Sequence, residues 1–182
     1  MSKLILSLDG GGIRGAATTQ FLTHVEKALQ STHQKSLRDC VDFYAGTSTG
    51  SLIALALATT DMDIQDINKL YSYPNAKKIF IENRGFLEID GLNAPKYEAK
   101  GKTAMLKKYL GQAKIKDVPE GKHVLAVAYG IEQRRPYVIK STRSEFQNLL
   151  SYQVADASSA APTHFPTRDM LLPPDNEQAW MV

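Results

Sequence analysis

Gly46-Thr47-Ser48-Thr49-Gly50 is the stretch on which the reading of this chain turns. It follows an apolar run, Cys40–Ala45, and leads into Ser51–Ala58 (SLIALALA), which is apolar on all sides. A short apolar run stopped by glycine suits a buried strand, and a segment with no polar face suits a helix enclosed in a core. A G-x-S-x-G pentapeptide between the two forces its central serine onto a sharp strand-to-helix turn. Backbone there is strained and the neighbouring positions Gly46 and Gly50 must be small. The hydroxyl of Ser48 is then lifted clear of the sheet, beside the first amides of the following helix. The pentapeptide alone is weak, because Gly, Ser and Thr are common in turns; the strand and helix around it carry the inference.

Upstream, Leu4–Leu8 is a second short apolar run, and it too ends in glycine: Asp9-Gly10-Gly11-Gly12-Ile13-Arg14-Gly15. Consecutive glycines let the backbone approach a ligand closely and present its N–H groups to an anion or an oxyanion. Arg14 adds a fixed positive charge. Gly10, Gly11, Gly12, Arg14 and Thr49 are therefore the candidate anion-binding residues; the plain alternative is a glycine-rich turn with no ligand. Gly10, Gly12 and Gly15 also fit G-x-G-x-x-G, the dinucleotide fingerprint, which follows a strand and opens a helix as here. That fingerprint expects an acidic residue at the end of the next strand, about 20 residues on. Asp39 precedes the next apolar run, Asp42 lies inside it, and the run ends in Ala45-Gly46. A nucleotide-binding domain thus lacks its carboxylate and leaves Ser48 unexplained.

Beyond these motifs, Phe21, Leu22, Val25 and Leu29 recur at helical spacing, as do Ile64, Ile67, Leu70 and Tyr71 behind the N-cap candidate Asp63. From Pro74 to about Lys102 no period holds, so a long loop or flap is expected. Ala104–Leu110 reads as a helix ending at Gly111, and Tyr152–Ala161 as an alanine-rich helix stopped by Pro162. His123–Tyr129 and Pro136–Lys140 read as strands joined by a turn near Gln133-Arg134-Arg135, and Ala179–Val182 as a last apolar stub. Strands alternating with helices predict a three-layer α/β/α sandwich with a mainly parallel central sheet, in a single domain over residues 1–182.

Composition excludes several classes. The 182 residues suffice for one core, and 43% hydrophobic with 23% charged residues is ordinary for a globular protein. A net charge of +3, from 22 basic and 19 acidic side chains, with its basic pairs (Lys77-Lys78, Lys107-Lys108, Arg134-Arg135) scattered, argues against nucleic acid and at most for weak attraction to anionic headgroups. The single cysteine, Cys40, reads as a buried structural thiol. Four histidines and that cysteine form no ligand-spaced set, so no metal is expected. No signal peptide follows Met1, and no run approaches the ~20 apolar residues of a membrane span. A cytoplasmic protein is expected, with secretion through a C-terminal signal left open.

A hydrolase triad in the order Ser, acid, His would need His123 or His164. His123 opens a strand and His164 sits in Ala-Pro-Thr-His-Phe-Pro, places where histidine is more often structural or superficial.

Together, Asp9–Gly15 and Gly46–Gly50 resemble the oxyanion loop and nucleophile elbow of the patatin-like phospholipases. The likeness extends to Ala157-Ser158-Ser159-Ala160-Ala161-Pro162 and to the region from Pro95-Lys96-Tyr97 to Leu110-Gly111. The resemblance implies a lipid acyl hydrolase of the phospholipase A or lysophospholipase type. Ser48 would form the acyl-enzyme, and Gly10, Gly11, Gly12 and Arg14 would hold the oxyanion, without a cofactor. The implied partners are a lipid or phospholipid substrate and, transiently, a membrane surface. The family's base is an aspartate in a later Asp-Gly-Gly or Asp-Gly-Ala motif. The Asp-Gly pairs here are Asp9-Gly10, inside the glycine loop, and Asp90-Gly91, in the irregular middle. Ala179-Trp180-Met181-Val182 resembles the strand that leads into the motif, so the chain is expected to be truncated before its dyad aspartate and inactive alone. Asp90, Asp169 and Asp175 are not taken as substitutes. Phe80, Ile81, Phe86 and Leu87 are candidates for an apolar rim. The rival expectation is a catalytically inactive hydrolase fold that binds lipid or a partner protein.

Overall fold

Strands β1 (Ile5–Leu8), β2 (Phe43–Thr47) and β3 (His123–Gly130) lie side by side and parallel in the computed structural model, which describes residues 3–83 and 95–182. Ile5 stands opposite Phe43, and Phe43 opposite His123. β4 (Arg135–Lys140) returns antiparallel along β3 through the expected turn. β5 (Arg168–Leu172) and β6 (Glu177–Met181) form an antiparallel hairpin, and β6 joins β3 where Met181 faces Gly130. The order is β1-β2-β3-β6-β5, with β4 beside β3. The class is α/β as expected, with a mixed sheet that is parallel where it carries the serine.

Two strands share one edge of β3. Leu125–Val127 pair with both β2 and β4, and Gly130 pairs with both β4 and β6, so β2 and β6 lie on the edge away from β4. β2 occupies that edge as far as Val127. β6 enters it from the other end, with Tyr129 and Val182 exchanging backbone hydrogen bonds of 2.8 and 2.9 Å.

Seven helices are described: α1 (Gly15–His33), α2 (Leu37–Cys40), α3 (Thr49–Thr59), α4 (Ile64–Leu70), α5 (Tyr73–Ile79), α6 (Ala99–Leu110) and α7 (Ser151–Ser158). α3 is the centre of the core. All of its residues are buried, and it packs on β1, β2 and β3. Each of Ile53, Leu55 and Leu57 contributes roughly 1.5–3 kcal/mol by leaving water. α7 lies against α3, β3 and β5, and α6 against α7. The sheet face beneath them carries the buried Leu8, Tyr44, Val124, Ala126 and Ala128, while Ile5, Val138, Leu171 and Trp180 on the other face are exposed. Asp63 caps α4 as its sequence suggests, accepting the Asp66 N–H at 2.7 Å.

Four expectations change. The region after Pro74 is not all loop: Pro74 stands in the first turn of α5, where its missing N–H is harmless, and α6 begins at Ala99, five residues before the apolar pattern does. Cys40 is half-buried and ends the short helix α2, because a reciprocal cap between Ser36 and Asp39 holds that turn helical. Phe21 shares the helical spacing of α1 but is exposed. β5 goes unseen in the sequence, since Arg168-Asp169 dilutes its apolar signal. No helix among the described residues is long and apolar enough to cross a membrane.

Candidate active site

The chain has one residue in which to turn from β2 into α3. Thr47 still pairs with Val127, and Thr49 is already helical. Ser48 makes the turn with φ 55° and ψ −122°, a conformation that costs of order 1–3 kcal/mol in a residue with a side chain and persists only where the surroundings impose it. Its carbonyl accepts from the Leu52 N–H at 3.2 Å and from the Ser51 hydroxyl at 2.6 Å. Its N–H donates to Ser158 Oγ at 2.9 Å.

The glycines on either side permit the turn because backbone presses on backbone. A Cβ on Gly46 would lie 2.3 Å from the Gly50 carbonyl carbon, and one on Gly50 would lie 2.1 Å from Leu8 O. The glycine loop meets the elbow directly, since a Cβ on Gly10 would stand 3.2 Å from that of Ser48. Gly12 has φ 56°, which turns the chain into a single 3-10 turn, Gly12–Arg14. Both the backbone N–H (3.1 Å) and Nε (3.4 Å) of Arg14 donate to the Gly11 carbonyl. That carbonyl is thus occupied, while the hydrogen bonds among the described residues use neither the Gly11 nor the Gly12 N–H. Gly15, at the start of α1, packs on Thr49 and Tyr71, and the Tyr71 hydroxyl bonds to Thr49 Oγ1. Burial pushes the Tyr71 phenol up to about 12.

Gly11, Gly12, Ile13, Arg14, Ser48 and Thr49 line part of a cavity of about 490 Å³. Its other walls are largely apolar: Leu52 of α3, Leu70 of α4, Ile79 and Phe80 at the end of α5, Met105 and Leu106 of α6, and Phe165. Of the four rim candidates, Phe80 lines it, Ile81 is exposed, and Phe86 and Leu87 lie outside the described residues, as does Asp90. His164 is exposed on the same cavity, and His123 is exposed at the start of β3, the end opposite Ser48. No Asp or Glu is among the described residues that line the cavity.

A buried ionic cluster supports the wall. Lys102 of α6 is 5% exposed and reaches Asp156 Oδ1, the Asp156 carbonyl and Ser159 Oγ, each at 3.0 Å. Asp156 also takes Arg168 at 2.9 Å and the Thr103 hydroxyl at 2.7 Å. Desolvation lowers the Lys102 pKa against the pull of Asp156. Its ammonium donates to the Asp156 carbonyl and Ser159 Oγ and pairs with the Asp156 carboxylate, so Lys102 ties α6 to α7 within the cavity wall. Sequence inspection misses this cluster because its members come from three elements, α6, α7 and β5, with Lys102 54 positions from Asp156 and no local pattern linking them. Tyr71 was legible as a helical residue, and Ser158 as part of a motif without a role.

The patatin-like phospholipase family model matches residues 6–179. The chain belongs to that family. Patatin-like protein 1 of Arabidopsis thaliana is 32% identical over 178 residues, which cover 89% of this chain and 42% of that protein. Probable inactive patatin-3-Kuras 1 of Solanum tuberosum is 29% identical, over 89% of this chain and 44% of that protein. The patatin-like chain described here therefore spans less than half the length of these relatives. In three dimensions it is similar to the crystal structure of VipD from Legionella pneumophila (TM-score 0.58, 14% identity, covering 97% of this chain and 45% of that one), a likeness of fold.

Proposed function

We propose that this patatin-like chain is the nucleophile-bearing part of a lipid acyl hydrolase, with Ser48 as the attacking residue. The observation that carries the reading is the strained turn at Ser48, set against the glycine loop in the lining of a largely apolar cavity of about 490 Å³. Strain of this kind collects at functional sites, and apolar walls with a few convergent polar groups suit an acyl chain.

Ser48 Oγ attacks the carbonyl carbon of a fatty-acyl ester while a base removes its proton. The carbonyl oxygen becomes an oxyanion, for which the unused Gly11 and Gly12 amides, the Thr49 amide and the Arg14 charge are the donors at hand. The intermediate collapses to an acyl-Ser48 ester and releases the alcohol, which takes up the proton. Water then attacks the acyl-enzyme while the base takes its proton, and the second tetrahedral intermediate collapses by breaking the bond to Ser48 Oγ, which takes the proton back from the base as the fatty acid leaves. No cofactor is required. The base in this reading is the family's aspartate, carried by polypeptide that would follow β6. β6 runs along the β3 edge vacated by β2 and therefore heads toward Ser48. The substrate is a phospholipid or lysophospholipid, met at a membrane surface.

Two observations favour a second reading, lipid binding without hydrolysis: the described cavity lining holds no carboxylate, and the potato relative is named as a probable inactive patatin. A fluorophosphonate, which labels only an activated serine, separates the two. We expect covalent labelling at Ser48 in the protein with its full natural sequence, and none in Ser48→Ala. Full labelling of Ser48→Ala removes Ser48 as nucleophile, and an unlabelled wild type of undisturbed fold leaves lipid binding as the function.

A further inference from the structure

Where β2 bends away from β3 at Thr47, two backbone groups lose their partners in the ladder. These are the Ser48 N–H, the first after the strand, and the Val127 carbonyl, opposite the last paired residue. A buried orphan of either kind is costly. Ser158, near the end of α7 and 7% exposed, stands between them. Its hydroxyl accepts from the Ser48 N–H at 2.9 Å and donates to Val127 O at 2.5 Å. One side chain, 110 positions from Ser48 in sequence, thus replaces the interstrand hydrogen bond that the elbow gives up.

We propose that Ser158 is the positioning residue of the elbow. Its bridge holds the Ser48 amide, and with it the φ 55° turn, in register with the sheet, so that Oγ points into the cavity and the Thr49 amide keeps its direction. A hydroxyl alone satisfies both sites at once, because it gives and receives a proton from one atom. The placement of Ser158 is itself secured from behind, since Asp156 and Ser159, on either side of it, are tied to Lys102. The proposal rests on Ser48 being the reacting residue only for its kinetic consequence; the bridge stands without it.

Two measurements on the full natural protein test it. In Ser158→Ala, amide hydrogen exchange followed by NMR should show the Ser48 N–H losing protection while the Leu55 and Ala56 amides of α3 keep theirs. Ester turnover, or the fluorophosphonate labelling rate, should fall about 10- to 100-fold with KM nearly unchanged, as expected of a small misplacement at the reacting centre. Ser158→Cys, which keeps the shape with a weaker donor, should recover part of both. Unchanged Ser48 protection in Ser158→Ala overturns the bridge. Loss of protection throughout α3 makes Ser158 a core residue only, and it overturns the positioning role if Ser158→Cys behaves likewise. If Ser48 protection falls but the protein reacts with no ester or fluorophosphonate even as wild type, the bridge survives and the hydrolase reading fails.

Discussion

Replacing Gly50 with alanine sets two effects of known size against each other. Gly50 lies in the first turn of α3, where alanine is the better helix former by about 1 kcal/mol. The added methyl, however, would sit 2.1 Å from Leu8 O and 2.6 Å from the Leu8 carbonyl carbon, against an ordinary contact of 3.4 Å or more. α3 and β1 must separate by about an ångström, and neither atom belongs to a side chain that can swing aside. Overpacking a filled core costs typically 1–3 kcal/mol. A clash with backbone belongs at the top of that range, so the net change is a loss of about 2 kcal/mol. Urea unfolding followed by circular dichroism should show a lower midpoint with an unchanged slope, and thermal unfolding a drop of roughly 4–8 °C. The same displacement moves Asp9-Gly10 away from Ser48, so labelling of the serine should slow as well. A Gly50→Ala protein as stable as wild type, or more so, would refute the reasoning and show that the close approach of α3 to β1 is not required.

Lys102→Met should lower stability by roughly 3 kcal/mol in urea unfolding, since it leaves Asp156 buried with only Arg168 to balance it; a loss below about 1 kcal/mol would mean that Arg168 suffices. The phenols of Tyr44 and Tyr71 are both pushed up to about 12, first of all by burial. The folded state therefore holds their protons more tightly than the unfolded state, so their contribution is complete below pH 10 and is lost as the pH climbs from 10 to 12. The upper bound is about 2–3 kcal/mol each. Ultraviolet titration should find two of the eight tyrosines ionising only with unfolding, and normal titration of both would contradict their burial.

The sequence by itself determined the elbow, the glycine loop and the α/β class, because each is a local matter. A glycine is demanded by the turn its own neighbours make, and a helix or strand by the spacing of its own apolar residues. The capping of α4 by Asp63 was legible for the same reason. Tertiary structure alone decided what surrounds the serine. Ser158 reaches Ser48 across 110 positions, Asp156 of α7 meets Lys102 of α6 and Arg168 of β5, and β6 takes the edge of β3 that β2 leaves. These contacts leave no local pattern. Any serine can fill a hydrogen-bonding gap and any lysine an ion pair, and which ones do so is set by how the helices stack on the sheet, a property of the whole core and not of any segment of the chain.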